Sequence, residues 1–347
     1  MLRAAVIAFR AHRGSQRNMT KCSRAAPAQQ PGGAIACSPV SLLPFEEHQH
    51  KIALETAMTV KIVTDSASDL PSQVVKELGI TVIPVVLRWG VQLYRDGIDL
   101  TSQQFYDRLK SSKISPATSV PSPGTFAEAY DRLAEETDKV IAIIHSAKLS
   151  GTYNVALQSV GLMKRKCRVE LIDSKCATMA EGFIVMKAAQ AAQAGANLDE
   201  VIDTARKTIP RVDFLATFDT LEYLKRGGRI GKAQAFLGSM LKVNPLITLR
   251  DGVVEPAGRT RSRARAIDRL YEFAMSYSHI EEMAIEEATT PDEAEKLAKR
   301  LRAKFPQDRI YRSKPSPAIG AHTGPGFLVA AILGDKSSSP AFVGRGQ

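Results

Sequence analysis

From Val60 onward, short apolar runs alternate with amphipathic runs of helical length. Residues 60–66 and 139–145 predict buried strands, whereas 69–79 and 123–136 have the spacing of amphipathic helices. Strands that alternate with helices favour a parallel sheet, because parallel neighbours need a long crossover. We therefore predict an α/β domain with a mostly parallel sheet flanked by helices. Its other predicted elements are a strand at 80–88, a helix at 101–112, a helix starting near Ser150, a strand at 168–174 and a helix at 178–195.

The pattern changes after Pro210 and predicts a second α/β domain with a mixed sheet. Residues 246–256 read as a hairpin around Asp251 and Gly252, and 221–242 as a helix interrupted by a double-glycine turn. The other predicted elements are strands at 212–219 and 280–288, helices at 262–277 and 291–305, and a last segment at 310–333.

We place the two domains at 59–211 and 212–335, with a ligand cleft between them, and predict a flexible tail at 336–347. Residues 1–58 show little periodicity and are rich in Arg and Ala. They predict a disordered extension or a misassigned start, with a targeting peptide as the alternative.

Composition excludes several classes of protein. No apolar run approaches the roughly 20 residues that a membrane-spanning helix needs. The four cysteines are too few and too irregularly spaced for a disulfide framework or a zinc site, which favours a reducing, cytoplasmic location. The net charge of +11 could indicate nucleic-acid binding, but aromatic residues make up only 6% of the chain and part of the charge precedes Met58.

Polar segments follow apolar runs or open helices at several places, where open α/β sheets gather ligand contacts. They lie at 64–71, 116–124, 146–154, 173–182 and 320–326. Because their side chains are mostly hydroxyls and small residues, we expect a ligand-binding crevice.

Two of these segments offer hydrogen-bond donors to an oxygen-rich ligand. Prolines stiffen the loop that carries Thr118 and Ser119, although hydroxyls before a helix also serve as N-caps. Ser146, Ser150 and Gly151 follow a buried strand, and the helix expected after them would present its positive end to an anion.

Basic residues form two further candidates. Arg229 lies beside a pair of glycines, which fits an anion-binding nest or a charged turn. Arg261, Arg265 and Arg269 are spaced by four and would form a basic helical stripe, which fits either a solvated face or a dock for an acidic partner.

His322 lies between small residues, and we expect it in a tight loop, where a lone histidine is more often structural than catalytic. No Ser–His–Asp order, paired-carboxylate spacing, metal-ligand cluster or Walker loop accompanies it in the sequence. We therefore predict no catalytic residue, metal or cofactor.

Six motifs together resemble the DegV family: 61-KIVTDSASDLP-71, 117-ATSVPSPGTF-126, 149-LSGTY-153, 172-IDSKCATMAEG-182, 221-LEYLKRGGRI-230 and 321-AHTGPG-326. The resemblance implies a two-domain α/β protein that binds a long-chain fatty acid between its domains. Characterised members serve as the FakB subunit of bacterial fatty acid kinase, in which a separate ATP-dependent subunit phosphorylates the acyl carboxylate for phospholipid synthesis.

The resemblance also implies roles for residues. Thr118 and Ser150 would hold the carboxylate, Arg229 and His322 would lie near it, and Arg261 would dock the kinase subunit. Ala147 departs from the family pattern, because many relatives have a second serine in this motif.

Two alternatives remain open at this point. The same crevice would suit an enzyme or kinase subunit acting on a small phosphorylated or keto substrate, because Ser150 and Arg229 would also fit a phosphate. A nucleic-acid binder driven by the net charge is the third hypothesis.

Overall fold

The structure is a computed structural model that describes residues 60–239, 243–305 and 310–336, all within one compact unit. The extension predicted at 1–58 and residues 337–347 of the predicted tail lie outside the described residues. None of the described helices is long and apolar enough to span a bilayer.

The described strands and helices follow one another along the chain as the alternation predicts. The strands are β1 Lys61–Asp65, β2 Thr81–Ile83, β3 Val86–Trp89, β4 Gln92–Arg95, β5 Ala117–Ser119, β6 Lys139–Ile144, β7 Arg168–Asp173, β8 Val212–Thr217, β9 Asn244–Arg250, β10 Val253–Thr260, β11 Tyr277–Glu287, β12 Ile310–Ser313 and β13 Leu328–Lys336. The helices are α1 Ser72–Glu77, α2 Ser102–Ser111, α3 Pro123–Leu133, α4 Thr152–Ser159, α5 Thr178–Gln193, α6 Leu198–Thr208, α7 Glu222–Arg226, α8 Arg263–Met275, α9 Pro291–Leu301 and α10 Pro317–Thr323.

A parallel sheet in the order β2–β1–β6–β7 forms the first layer. Strand β6 shows why both faces are covered: Ala142 and Ile144 pack with the aromatic side chains of α3, whereas Ile141 and Ile143 pack with α5 and α6. A parallel strand buried on both faces needs a continuous apolar run, which the sequence 140-VIAII-144 supplies.

A mixed sheet in the order β10–β9–β8–β13–β11–β12 forms the second layer, in which β11 and β12 are parallel and the other neighbours antiparallel. One face of this sheet packs against α8 and α9. Helix α5 contacts β8, β11 and β13 on the other face and also β1 and β6 of the parallel sheet. Its small and apolar residues, buried for most of its length, suit a position between two sheets.

The strand predicted at 80–88 is wrong in one respect, because it is two strands. Strand β2 pairs with β1, and after Pro84 the chain enters β3, which belongs to a small antiparallel sheet in the order β4–β3–β5. Proline has no N–H to donate and therefore suits the point where the chain leaves one sheet for another. The loop predicted around Thr118 is likewise a strand, since Ala117–Ser119 is β5.

In the second half of the chain, the hairpin around Asp251 and Gly252 is confirmed, with φ of 47° and 79° at these residues. The helix predicted at 221–242 ends at Arg226, and Gly228 with φ of 70° follows it before a 3-10 segment, Gly231–Ser239. His322 lies in the last turn of α10 and not in the loop we predicted, which begins at Gly324.

Candidate functional site

A cavity of about 130 Å³ lies where the carboxyl end of the parallel sheet meets the second sheet. Residues 60–178 contribute most of its polar lining, and residues 214–254 with Phe327 contribute half of its apolar lining residues, including all three phenylalanines. About ten times the space that one water needs is available. The lining residues are Ala67, Val85, Thr118, Ser119, Val120, His145, Leu149, Ser150, Ala177, Thr178, Phe214, Phe218, Leu224, Arg229, Ile247, Leu249, Val254, Ala318, Ile319, His322, Thr323 and Phe327.

The apolar wall comes from β8, β9, β10 and the segments beside them. Phe218 and Phe327 form an aromatic pair with ring centroids 5.1 Å apart. Phe214, Ile247 and Leu249 extend the wall along the strands. Such a wall favours a hydrocarbon, because it offers side chains without hydrogen-bonding groups.

Thr118 and His322 form the first polar contact of the cavity. The Thr118 Oγ1 lies 2.8 Å from the His322 Nε2. Burial lowers the pKa of His322 to about 4, and the neighbouring Arg229 and His145 act in the same direction, so the His322 ring is neutral at pH 7.

The neutral ring of His322 has one N–H, and its surroundings indicate which nitrogen carries it. Nδ1 is buried without a hydrogen-bond partner among the described residues and faces Gly227. A buried N–H without an acceptor is rarer than an unpaired acceptor. We therefore assign the proton to Nε2, which donates to Thr118. The Thr118 hydroxyl then keeps its own proton for a ligand.

Arg229 supplies a positive charge to the cavity without an acidic partner. Its Nε donates to the Leu149 carbonyl at 2.9 Å and its Nη1 to the Gly227 carbonyl at 2.6 Å. No Asp or Glu among the described residues lies within ion-pair distance of its guanidinium. The backbone thus holds the side chain in place, and its charge has no direct ion-pair partner among the described residues.

Of the other predicted site residues, some line the cavity and some do not. Ser119 and Ser150 line the cavity, and the Ser150 Oγ lies 2.9 Å from the Thr152 Oγ1 and accepts the Thr152 amide at 3.3 Å. The Ser150 amide, which we expected to be free for an anion, donates to the Ser146 carbonyl at 3.2 Å. Gly151 is exposed and does not line the cavity.

Ser146 lies behind the cavity lining. Its side chain is fully buried and donates to the Gly252 carbonyl at 2.8 Å, at the tip of the β9–β10 hairpin. It therefore connects the parallel sheet to that hairpin.

The predicted basic stripe is wrong in its geometry. Arg261 is exposed and precedes α8, whose N-cap is Ser262. Arg265 pairs with Asp268 at 3.6 Å and Glu272 at 3.3 Å, so acidic side chains interrupt the positive face.

A buried pair at the cavity wall, Asp65 and His145, was not predicted as part of the site. The His145 Nδ1 lies 2.7 Å from the Asp65 Oδ2, and both side chains are almost completely buried. The two residues follow or end the paired strands β1 and β6, whose carboxyl ends meet. That adjacency was the signal available in the sequence.

Buried carboxyl groups also surround the cavity. The Asp96 Oδ2 accepts hydrogen bonds from the Ser66 hydroxyl at 2.7 Å and from the amide of Ala318 at 3.3 Å, and burial raises the pKa of Asp96 to about 7. Burial likewise raises the pKa of Glu286 to about 7, and its Oε2 accepts the amide of Met179, next to Thr178.

Comparisons with known proteins agree with this architecture. Residues 59–334 match a family model described as uncharacterised protein, DegV family. A DegV domain-containing protein of Streptomyces coelicolor is 37% identical over 277 residues, which cover 79% of this chain and 98% of that protein.

Solved structures match as well. A DegV family protein from Thermus thermophilus, described for its fatty acid binding, has a TM-score of 0.74 and 30% identity over 80% of this chain and 99% of its own. A fatty acid binding protein from Bacillus subtilis has a TM-score of 0.72 and 30% identity over 80% of this chain and 100% of its own.

Proposed function

Since the chain belongs to the DegV family, we propose that it binds one long-chain fatty acid in the described cavity and presents the carboxylate to a separate ATP-dependent kinase. The carboxylate lies against Arg229, Thr118 and Ser150, and the hydrocarbon lies against the wall formed by β8 to β10. The protein is then a lipid-binding subunit and forms acyl-phosphate only with its partner.

The observation that carries this proposal is Arg229. A partly buried guanidinium without a carboxylate partner is costly, and it gains most from an anion that reaches it inside the protein. The Thr118 hydroxyl, with its proton free, adds a charge-assisted hydrogen bond. A single carboxylate group satisfies both requirements.

The apolar wall supports a long tail on that carboxylate. At roughly 0.8 kcal/mol per buried methylene, a chain of about 16 carbons offers on the order of 11 kcal/mol of gross transfer free energy. A small phosphorylated or keto substrate would leave Phe214, Ile247 and Leu249 without a partner. The lining therefore favours the fatty acid over that alternative.

The mouth of the cavity supports presentation to a kinase. Ser119 and Val120, both exposed, lie beside Thr118 in the sequence and line the cavity. A carboxylate held at this position by hydroxyls and one arginine keeps an oxygen accessible to a phosphoryl donor. None of the described residues that line the cavity is acidic, so we expect the ligands of the nucleotide's magnesium to come from the partner.

Native mass spectrometry with lipid extraction tests the binding step. We expect the purified protein to carry the added mass of one fatty acid. The double variant Thr118→Val, Ser150→Ala should bind dodecanoate at least about tenfold more weakly, because hydrogen bonds to charged groups are lost. The matched control is Ser122→Ala, Thr125→Val, which removes an exposed hydroxyl pair outside the lining.

A small polar adduct, or a double variant with unchanged affinity, would contradict the assignment of this head-group site. The kinase step has its own assay, in which the loaded protein, ATP and a bacterial fatty acid kinase subunit are incubated with hydroxylamine. Acyl hydroxamate is the expected product. Bound fatty acid without hydroxamate would refute the partnership and leave the binding function intact.

A further inference from the structure

Asp65 holds His145 in one orientation at the cavity wall. The Asp65 Oδ2 accepts from the His145 amide at 3.0 Å and lies 2.7 Å from its Nδ1, and the Oδ1 accepts the amide of Ala67 at 2.9 Å. The two backbone N–H donors suit an ionised carboxylate, which can only accept hydrogen bonds. Nδ1 of His145 therefore carries a proton.

The other ring nitrogen of His145 is available to a ligand. His145 lines the cavity together with Thr118, Ser150 and Arg229, and its Nε2 makes no hydrogen bond to any described residue. Because Nδ1 is fixed as a donor, Nε2 either accepts a hydrogen bond as neutral imidazole or donates one as imidazolium.

The charges around His145 decide between these two states. A carboxylate oxygen of Glu181 on α5 lies within 4.8 Å of a ring nitrogen of His145 and of a carboxylate oxygen of Asp65. Burial raises the pKa of Glu181 well above its usual value, which favours its neutral form. His322 on α10 is neutral as well. Arg229 and Asp65 are the charged groups, with opposite signs.

Three further acids lie near this turn. Burial raises the pKa of Asp69 and of Asp96, which favours their neutral forms. Asp173 ends β7, and its Oδ1 accepts the amides of Ala147 and Lys175. Backbone amides thus stabilise the Asp173 carboxylate, which does not line the cavity. With His145 neutral, the positive charge of Arg229 is balanced by the negative charge of Asp65, which lies behind the lining, and an incoming carboxylate leaves one negative charge in a partly buried site. A proton on Nε2 cancels that charge and adds a hydrogen-bond donor.

We propose that His145 is a second head-group contact and takes up a proton when a carboxylate binds. This inference rests on the proposed function and adds to it the group that neutralises the ligand. Arg229 and the imidazolium of His145 then hold the carboxylate from two sides, while Asp65 compensates the imidazolium.

Titration calorimetry with dodecanoate tests the proposal directly. The binding enthalpy is measured in phosphate and in Tris at equal pH, between about pH 6.5 and 9, and its dependence on buffer ionisation enthalpy gives the protons exchanged. We expect the wild-type protein to take up as much as about one proton. The variant His145→Gln should bind more weakly and take up none.

Dodecanol is the matched ligand control, because it has the same tail and no charge. It should bind without buffer dependence, and this comparison needs no variant to fold. Dodecanoate binding with no proton uptake, or with the same uptake in His145→Gln, would overturn the role of His145 while the proposed function stands. Absence of dodecanoate binding altogether would overturn both.

Discussion

Replacing Gly227 with alanine should displace His322 and weaken ligand binding, although Gly227 itself does not line the cavity. It follows α7 and faces His322, and a Cβ placed on it would overlap the His322 Nδ1 and lie 2.8 Å from Cε1 and 3.2 Å from the Tyr223 carbonyl. Its backbone is helical, with φ of −73°, so alanine brings no conformational strain of its own. The effect of Gly227→Ala is therefore purely one of contact.

The displacement of the His322 ring should lower the affinity for dodecanoate by an amount that can be estimated. The overlap can be relieved only if the ring moves away from Gly227, since the Tyr223 carbonyl belongs to the backbone. The 2.8 Å contact between Thr118 and His322 would then lengthen or break. A misplaced Thr118 hydroxyl would weaken its own hydrogen bond to the carboxylate. Loss of one hydrogen bond costs about 0.5–1.5 kcal/mol, which corresponds to roughly 2- to 13-fold weaker binding of dodecanoate.

Calorimetry and thermal unfolding of Gly227→Ala, compared with Gly161→Ala, provide the assay. A Cβ added to Gly161 would meet no atom within 4 Å, and this glycine lies outside the cavity lining, so its variant controls for the substitution itself. The packing strain should also lower the unfolding free energy of Gly227→Ala by about 1–3 kcal/mol. Equal dodecanoate affinities in the two variants would refute the view that His322 positions Thr118.

Two further predictions concern acidity and chain length. The folded pKa of Asp96, about 7, exceeds the unfolded value of about 3.9. The folded state thus binds more protons, and the unfolding free energy should fall as pH rises from about 4 to about 7, by at most about 1.4 kcal/mol per pH unit. Denaturant titrations of Asp96→Asn should show a shallower fall of the unfolding free energy with pH. The same pH dependence in the variant and the wild-type protein would contradict the role of Asp96. Leu249→Trp should shift the copurified lipids toward shorter chains, because each methylene excluded from the cavity removes about 0.8 kcal/mol of binding free energy, or about fourfold in affinity. Mass spectrometry of the extracted lipids measures the chain-length distribution. An unchanged distribution would show that the tail lies elsewhere.

The parallel sheet was predictable because its strands have a continuous apolar pattern. Residues 139–145 could be assigned as a buried strand on composition alone, and Lys139–Ile144 is that strand. The transfer of the chain to another sheet at Pro84 was not predictable in the same way. The run 80–88 is apolar throughout most of its length, and strand pairing decides where one strand stops and the next begins.

The sequence predicted several residues that line the cavity, but it did not predict which of them contact one another. Thr118 and His322 were both identified as candidates, but they are 204 residues apart, and only the fold makes them partners. The pKa of His322 depends on burial, which no local motif encodes. Ser146 illustrates the opposite case, because its hydroxyl belongs to a ligand-like motif and yet bonds the backbone of Gly252.

The lining of the cavity comes from two stretches of sequence with different chemistry. Most of the hydroxyls come from residues before Met179, whereas the three phenylalanines and most of the large aliphatic side chains come from residues 214–254 and Phe327. Substitutions in the second stretch can therefore retune which hydrocarbon is accepted while leaving the recognition of its charged end unchanged. Under the proposed function, lipid preference would therefore change through point substitutions in the β9–β10 hairpin, with the head-group contacts left in place.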